Sequence, residues 1–299
     1  MPMLFEDLRR QLEEKLLILG GGKKYEQAVI LAGGAGSGKS YATQHFIQGE
    51  NYKIINVDDM KEMLAKLAKS TTRLKMGNKL DEILPTIRKL DLKNADDTSK
   101  LHAIVKDLGL DDKQLFYILG NPGGMRSHMP NLMFDMTLKS ENAAREMTSI
   151  LLNGGYKPEN IHIVWVLTDY KMALRQNYNR SRRVFNDVLF DTHIGAKQTM
   201  TEVVFKNYDS LGINGDIAVI IGGPPQKYAP GLENKQDMRK TNTGAEWAKD
   251  FTYIRVKKVG NKTIDQGAVD QVLRFVAHLA PPQKNFDKSI RSQYPQTNR

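Results

Sequence analysis

Short apolar runs separated by helical patterns recur along most of this 299-residue chain. Such runs predict strands of a parallel sheet, because those strands are covered on both faces and need no polar side. Helix-like spacing of apolar positions follows most of the runs, which predicts helices packed on both faces of the sheet. The predicted strands are residues 28–32, 53–57, 131–136, 161–167 and 216–221, with a late strand near 251–259.

The helices are predicted from the spacing of apolar residues and from the glycines that end them. Leucines recur at helical spacing over residues 3–19, and three consecutive glycines at 20–22 then end this helix. From about 70 to 130 the chain is polar, charged and mainly helical, which predicts an insertion between two strands. The other predicted helices are residues 40–48, 58–69, 140–153 and 266–279.

Composition places the chain among soluble proteins. Hydrophobic residues make up 40% of it, and no stretch approaches the roughly 18 consecutive apolar residues of a membrane span. Acidic residues between 6 and 14 interrupt any secretory signal, so a cytoplasmic location is expected, in the host if the protein is viral. The absence of cysteine excludes disulfides, thiolate catalysis and cysteine-ligated metals.

The chain is basic, with 44 Lys and Arg residues against 34 Asp and Glu and a formal net charge of +10. An excess of this size favours a polyanionic partner such as nucleic acid. A generally basic, soluble surface explains the charge equally well, so charge alone does not identify a partner.

Residues 33–40, GGAGSGKS, match the phosphate-binding pattern G-x-x-x-x-G-K-[ST] between a predicted strand and a predicted helix. Glycines let backbone N–H groups converge on phosphate oxygens, and the helix adds its positive end. Lys39 is predicted to reach the β- and γ-phosphates, and Ser40 to hold Mg²⁺. A glycine-rich turn without a ligand is the alternative, but motif and context agree. The predicted ATP-binding residues are Gly33, Gly34, Ala35, Gly36, Ser37, Gly38, Lys39, Ser40 and Tyr41.

Together these patterns predict an α/β fold: a P-loop NTPase three-layer sandwich whose parallel five-stranded sheet has helices on both faces and a helical insertion. One kinase domain is expected over residues 1–280, with the insertion at about 70–130. An arginine-rich lid is expected at about 170–190, and residues 281–299 form a polar tail.

Two consecutive acidic residues, Asp58 and Asp59, follow the second predicted strand. Ligands of open α/β sheets bind beyond the carboxyl ends of the strands, so these residues share an edge with the phosphate loop. A carboxylate there can accept the proton of an attacking hydroxyl. Capping of the next helix is the alternative, because Asp caps helices well. We favour Asp58 as the base and Asp59 as a cap or supporting residue.

Four arginines occur within residues 175–183, after the fourth strand and a short helix. Guanidinium groups stabilise negative charge on transferring phosphate oxygens, and a helical lid that closes over ATP can supply them. The alternative is a solvated basic helix face or a nucleic-acid contact without a catalytic role. The position after a strand favours the lid.

The motifs together resemble the polynucleotide-kinase and zeta-toxin branch of the P-loop kinases. The resemblance lies in GGAGSGKS (33–40), IINVDDMK (54–61), FDMT (134–137) and LTDYKMALRQNYNRSRRV (167–184). It implies a catalytic set of Lys39, Asp58 as general base, and Arg180 on the transferring phosphate. It also implies substrate-binding residues, namely Asp59, Lys61, Asp135, Arg182 and Arg183.

The expected activity is transfer of the ATP γ-phosphate to a hydroxyl of a nucleic acid, DNA before RNA, or of a nucleotide. The resemblance implies two acceptors, 5-hydroxymethyluracil in DNA and a 5′-OH end. One alternative is a zeta-toxin-like kinase of a nucleotide sugar. Another is a DNA-stimulated P-loop ATPase, which would need an apolar strand ending in Asp-Glu, and none is evident. ATP and Mg²⁺ are the expected cofactors.

Overall fold

The structure is a computed structural model. It describes residues 17–45, 47, 52–56, 61, 65, 68–69, 78–109, 129–179, 183–222 and 252–281. Within this part of the chain, none of the helices is both long enough and apolar enough to cross a membrane.

A single six-stranded sheet organises the described residues. Its strands are β1 (Ala28–Ala32), β2 (Tyr52–Ile55), β3 (Asn131–Asp135), β4 (Ile161–Thr168), β5 (Ile217–Gly222) and β6 (Thr252–Lys257). Their order in the sheet is β2-β3-β1-β4-β5-β6. The first five are mutually parallel, and β6 pairs with β5 in the antiparallel direction. Because β3 and β4 flank β1, the loops after these three strands meet at one edge of the sheet.

The prediction of a parallel five-stranded sheet is wrong in one respect. The late strand that the sequence places near 251–259 is β6, and it extends the sheet as a sixth, antiparallel strand. Apolar and β-branched residues indicate that a segment is a strand, but they do not encode which edge it joins or in which direction.

The four central strands, β3, β1, β4 and β5, are buried on both faces along almost their whole length, as their continuous apolar runs predict. Lys53 and Ile54 of the edge strand β2 are exposed. On one face, Ile30 of β1 and Trp165 of β4 pack with helices from the second half of the chain. On the opposite face, Leu31 and Val166 pack with Leu17 and with Ala42 of the helix after β1. The sheet therefore has a covered core on each side, and its polar chemistry is confined to the strand ends.

Seven α-helices of at least seven residues lie within the described part of the chain. They are α1 (Lys39–His45), α2 (Asn78–Arg88), α3 (Ala95–Asp107), α4 (Glu141–Asn153), α5 (Tyr170–Asn179), α6 (Asn186–Gln198) and α7 (Gln266–Leu279). A π-helical turn, Thr199–Val204, continues α6. Side-chain caps explain several starts: the Ser140 hydroxyl accepts from the Ala143 amide before α4, and the Asp265 carboxylate accepts from the Ala268 amide before α7.

The first predicted helix, over residues 3–19, is wrong at its described end. Leu17 forms a parallel bridge with Ile47, and Leu19 has extended backbone angles. Residues 3–16 lie outside the described part. Leu17 is fully buried against the sheet, so tertiary pairing overrides the local leucine spacing at this end.

The insertion has a small hydrophobic core of its own. Helices α2 and α3 pack together through residues such as Ile87 and Leu101, both fully buried. Ala65 and Ala68, helical residues after β2, belong to the same core. The Arg88 Nε donates to the Ala68 carbonyl at 2.6 Å. The insertion is therefore packed against described helical residues that follow β2.

A buried polar network ties the amino-terminal edge of the sheet together, opposite the phosphate loop. The fully buried Asp216 carboxylate accepts from the Gly20 amide at 2.7 Å, from Arg255 Nη1 at 2.9 Å and from the Val259 amide at 3.1 Å. The Asp216 amide donates to His162 Nδ1 at 2.8 Å. Buried charges need such partners, because desolvation is otherwise costly.

We expect Asp216→Ala to lower the free energy of unfolding by about 3–5 kcal/mol. The Arg255 guanidinium is already half-buried, and the substitution removes the carboxylate that pairs with it. Urea denaturation of the purified variant measures this change. Asp270→Asn, at an exposed site on α7, is the control and should be neutral. Equal stability of the two variants would contradict a structural role for the network.

Burial also predicts how stability changes with pH. His162 Nδ1 accepts a hydrogen bond, so Nε2 carries the proton and donates to the side-chain oxygen of Gln27, Oε1, at 2.8 Å. Burial lowers the pKa of His162 to about 4, and burial likewise lowers the pKa of His193 to about 4. The unfolded chain takes up these protons near pH 6.5. It therefore binds more protons than the folded chain between pH 6.5 and pH 4.

Stability should consequently fall as pH decreases through this window, by about 1.4 kcal/mol per pH unit for each histidine. Unfolding free energies measured at several pH values across the window test this expectation. In His162→Gln the slope should shrink, with the contribution of His193 remaining. A slope that is the same in the variant and the parent would contradict the assignment to His162.

Candidate phosphoryl-transfer site

The phosphate loop, residues 33–40, joins β1 to α1 at the carboxyl edge of the sheet. Its backbone requires glycine, since φ is +146° at Gly33, +75° at Gly36 and +85° at Gly38. A Cβ on Gly33 would lie 2.7 Å from the Val166 carbonyl oxygen, and one on Gly36 would lie 2.8 Å from that of Ala173. The loop is thus closely packed against β4 and α5, with the geometry that the motif predicts.

Residues from the two neighbouring strands hold the loop in place. The Thr168 hydroxyl, at the end of β4, donates to the Ser37 carbonyl at 2.7 Å. The Gly33 amide donates to the carbonyl of Thr137, just beyond β3, at 3.2 Å. The loop is therefore fixed from both sides before any ligand binds, which favours preorganised phosphate binding.

Lys39 lies across the loop beside a carboxylate. Its Nζ donates to the carbonyl of Gly33 at 2.8 Å and to that of Gly34 at 3.3 Å, and lies 3.7 Å from Asp135 Oδ1. The other carboxylate oxygen of Asp135 accepts from Asn56 Nδ2 at 3.1 Å. Both charged side chains are mostly buried, each 12% exposed. Asp135 thus lies between the phosphate loop and the end of β2.

The remaining predicted loop residues differ in exposure. Ser40 is exposed in the first turn of α1, and Tyr41 beside it is half-buried. Ser37 is buried, and its hydroxyl has no hydrogen-bonding partner within the described part of the chain. An unpaired buried hydroxyl is uncommon, and this one can donate to a ligand oxygen bound in the loop.

The predicted residues after β2 are only partly described. Lys61 is 7% exposed and helical, whereas Asp58 and Asp59 lie outside the described residues. Asn56, two positions before Asp58, bonds to Asp135 at the carboxyl edge of the sheet. The chain therefore leaves β2 on the edge that carries the phosphate loop.

The arginine-rich segment connects α5 to α6. The buried side chain of Asn177, in α5, forms hydrogen bonds with the backbone at the far end of this segment. Asn177 donates from Nδ2 to the Val184 carbonyl at 2.8 Å and accepts from the Val184 amide at 3.0 Å. The Arg183 guanidinium stacks over the Tyr178 ring at 4.5 Å, and the Arg183 amide donates to the carbonyl of Leu92 in the insertion at 3.2 Å. Arg180 and Arg182 lie outside the described residues.

Two residues of α6 contact the phosphate loop, and the sequence did not indicate them. The Ala35 amide donates to the Thr192 hydroxyl at 3.0 Å, and His193 Nε2 lies 3.0 Å from the Ala35 carbonyl oxygen. A Cβ on Gly34 would overlap the His193 ring. Neither residue lies in a motif, because each contact depends on how α6 packs against a loop far earlier in the chain.

Comparison with known proteins supports the fold at low sequence identity. No protein-family model matches this sequence, and no curated protein matches it. A crystal structure of AvrRxo1-ORF1:AvrRxo1-ORF2 with sulphate ions aligns over 94% of this chain and 73% of its own, with a TM-score of 0.53 and 12% identity. The structure of that complex with ATP aligns over the same shares, with a TM-score of 0.53 and 11% identity.

A structure of the PezAT chromosomal toxin-antitoxin system of Streptococcus pneumoniae aligns over 72% of this chain and 73% of its own. Its TM-score is 0.32 and its identity 15%, which is too distant to support the assignment. The AvrRxo1 structures share the overall fold of this chain at low identity. The described residues form an α/β fold with six strands in one mostly parallel sheet.

Proposed function

We propose that this protein is an ATP-dependent kinase that transfers the γ-phosphate to a hydroxyl of a nucleic acid or a nucleotide. The observation that carries the proposal is the position of Lys39, which lies over the phosphate loop and 3.7 Å from the Asp135 carboxylate. A loop preorganised for phosphate, an ammonium group and a carboxylate at one sheet edge are the parts that phosphoryl transfer needs. The ATP-bound AvrRxo1 structure supports ATP as the donor.

Mg²⁺ fits the residues at this edge. The Ser40 hydroxyl in the first turn of α1 and the Asp135 carboxylate offer hard oxygen ligands, which Mg²⁺ prefers together with phosphate oxygens and water. We assign Ser40 and Asp135 as the residues that would hold it. The ion would neutralise charge on the β- and γ-phosphate oxygens.

The acceptor is proposed to approach from the β2 side of the loop. In this proposal Asp58 accepts the proton of the attacking hydroxyl, Asp59 supports it, and Lys61 binds an acceptor phosphate. Arg180 contacts the transferring phosphate, with Arg182 and Arg183 as accessory groups. The stacking of Arg183 on Tyr178 and its backbone bond to the insertion support a position for this segment beside the acceptor.

The net charge of +10 favours a polyanionic acceptor such as DNA. Among the candidate acceptors, we therefore rank 5-hydroxymethyluracil in DNA and a 5′-OH end above a nucleotide sugar. A DNA-stimulated ATPase remains the alternative outside the kinases. Such an ATPase needs an apolar strand ending in Asp-Glu for water activation, and the sequence has none that is evident, which disfavours it.

Incubation with γ-labelled ATP and four acceptors tests the proposal: 5′-OH DNA, 5′-OH RNA, DNA containing 5-hydroxymethyluracil, and a nucleotide sugar. We expect the label on one acceptor, and we expect its amount to fall when Mg²⁺ is chelated. The same assay without an acceptor measures hydrolysis. Release of labelled phosphate to water only, stimulated by DNA, would instead identify an ATPase.

A further inference from the structure

Helix α6 holds one peptide unit of the phosphate loop by both of its polar groups. The Ala35 amide donates to the Thr192 hydroxyl at 3.0 Å, and the Ala35 carbonyl faces His193 Nε2 at 3.0 Å. Thr192 and His193 are 7% and 5% exposed. Because the two residues are adjacent on one helix, they fix both the position and the tilt of the loop at Ala35.

The direction of each hydrogen bond is determined by the partner. A carbonyl oxygen can only accept, so His193 Nε2 carries the hydrogen and donates to Ala35. The Thr192 hydroxyl accepts from Ala35 and donates its own hydrogen to the Leu189 carbonyl at 2.8 Å. These hydrogen bonds hold both side chains in one orientation. The His193 ring also lies against Gly34.

The same helix pair carries the arginine-rich segment. Helix α5 approaches the loop at Gly36 through the Ala173 carbonyl, and α6 contacts it at Gly34 and Ala35. Between the two helices, the paired bonds of Asn177 with Val184 close the segment that contains the arginines. Two consecutive helices thus contact the loop, α5 at Gly36 and α6 at Gly34 and Ala35.

We propose that Thr192 and His193 are positioning residues that hold the phosphate loop, and with it Lys39, in a fixed position relative to helices α5 and α6. The inference rests on the proposed kinase function for its effect on rate. Its effect on the loop itself does not depend on any reaction. If the loop shifts relative to α5 and α6, its amides and Lys39 can still bind ATP. The transferring phosphate would then lie out of position for the reaction, including for the proposed contact with Arg180. Small misplacements of this kind are costly in rate.

Thr192→Val is the sharpest variant, because it keeps the shape of the side chain and removes the acceptor for the Ala35 amide. We expect kcat to fall about 10- to 100-fold with the KM for ATP little changed. Thr192→Ser keeps the hydroxyl and should restore most of the rate. Thr148→Val, at a buried threonine of α4 that bonds to the Ala144 carbonyl, is the control for loss of a buried hydroxyl away from the loop.

His193 is tested by two variants in the same assay. His193→Gln retains a side-chain N–H that can donate to Ala35, whereas His193→Leu removes the donor and leaves the buried carbonyl unpaired. We expect the Leu variant to lose more kcat than the Gln variant. If kcat falls equally in His193→Gln and His193→Leu, in proportion to their loss of thermal stability, His193 contributes packing only. That result would overturn its positioning role.

Hydrogen exchange at the Ala35 amide provides a readout that needs no turnover. In Thr192→Val this amide should exchange at least about tenfold faster, while amides of β1 and β4 keep their protection. If the parent protein phosphorylates no acceptor, the proposed function fails, and the exchange result still decides the inference. Unchanged Ala35 exchange in Thr192→Val, or parental kcat in both Thr192→Val and His193→Leu, overturns it.

Discussion

Lys39→Ala should lower phosphoryl transfer by at least about 10²–10³-fold and should also weaken ATP binding. The Nζ lies within 3.3 Å of two loop carbonyls and 3.7 Å from Asp135, so its removal takes the positive charge from the place where the β- and γ-phosphates are expected. The loss has a second component. The mostly buried Asp135 carboxylate also loses the ammonium group beside it, which disturbs the position of this carboxylate at the site.

Steady-state transfer of label from ATP and calorimetric titration with ATP measure the two effects of Lys39→Ala separately. Lys24→Ala, at an exposed lysine on the opposite edge of the sheet, is the matched control and should leave both unchanged. Parental ATP affinity in Lys39→Ala would show that the loop binds nucleotide through its backbone alone. Parental transfer would exclude Lys39 from the reaction.

Asp58→Ala should lower transfer by about 10²–10⁴-fold, the usual contribution of a general base, while ATP binding stays intact. This separation is the distinguishing feature, because the proposed base acts on the acceptor hydroxyl and makes no contact with the nucleotide. Asp59→Ala removes the neighbouring carboxylate and should have the smaller effect. Retained transfer in Asp58→Ala would remove Asp58 from the role, and a larger loss in Asp59→Ala would exchange the assignments.

The central fold could be predicted because its signals are local. The apolar runs of β1 and β4 mark strands buried on both faces, and α7 has the predicted bounds, 266–279. Two features could not be predicted for a common reason. The antiparallel direction of β6 and the strand-like bridge of Leu17 with Ile47 are decided by pairing with distant segments, which local patterns do not encode.

The candidate site also contains residues that local sequence motifs predict and residues that only the packing of distant segments brings in. The phosphate loop is a contiguous motif, so its residues and its need for glycine follow from the sequence. Thr192 and His193 lie more than 150 positions from Ala35, and nothing in the local sequence marks them as partners of the loop. Asp135 was expected near the acceptor, and its contact with Lys39 follows from β3 lying next to β1 in the sheet.

The separate core of the insertion has a consequence for how the protein opens. Among the described residues, Ala65 and Ala68 belong to the hydrophobic core of α2 and α3, which is separate from the two cores of the main sheet. Contiguous packing units of this kind tend to unfold cooperatively and below the global limit. The phosphate loop, by contrast, is held by β3, β4, α5 and α6 of the main body. We therefore expect partial unfolding to melt the acceptor side first, while the nucleotide-binding half remains folded.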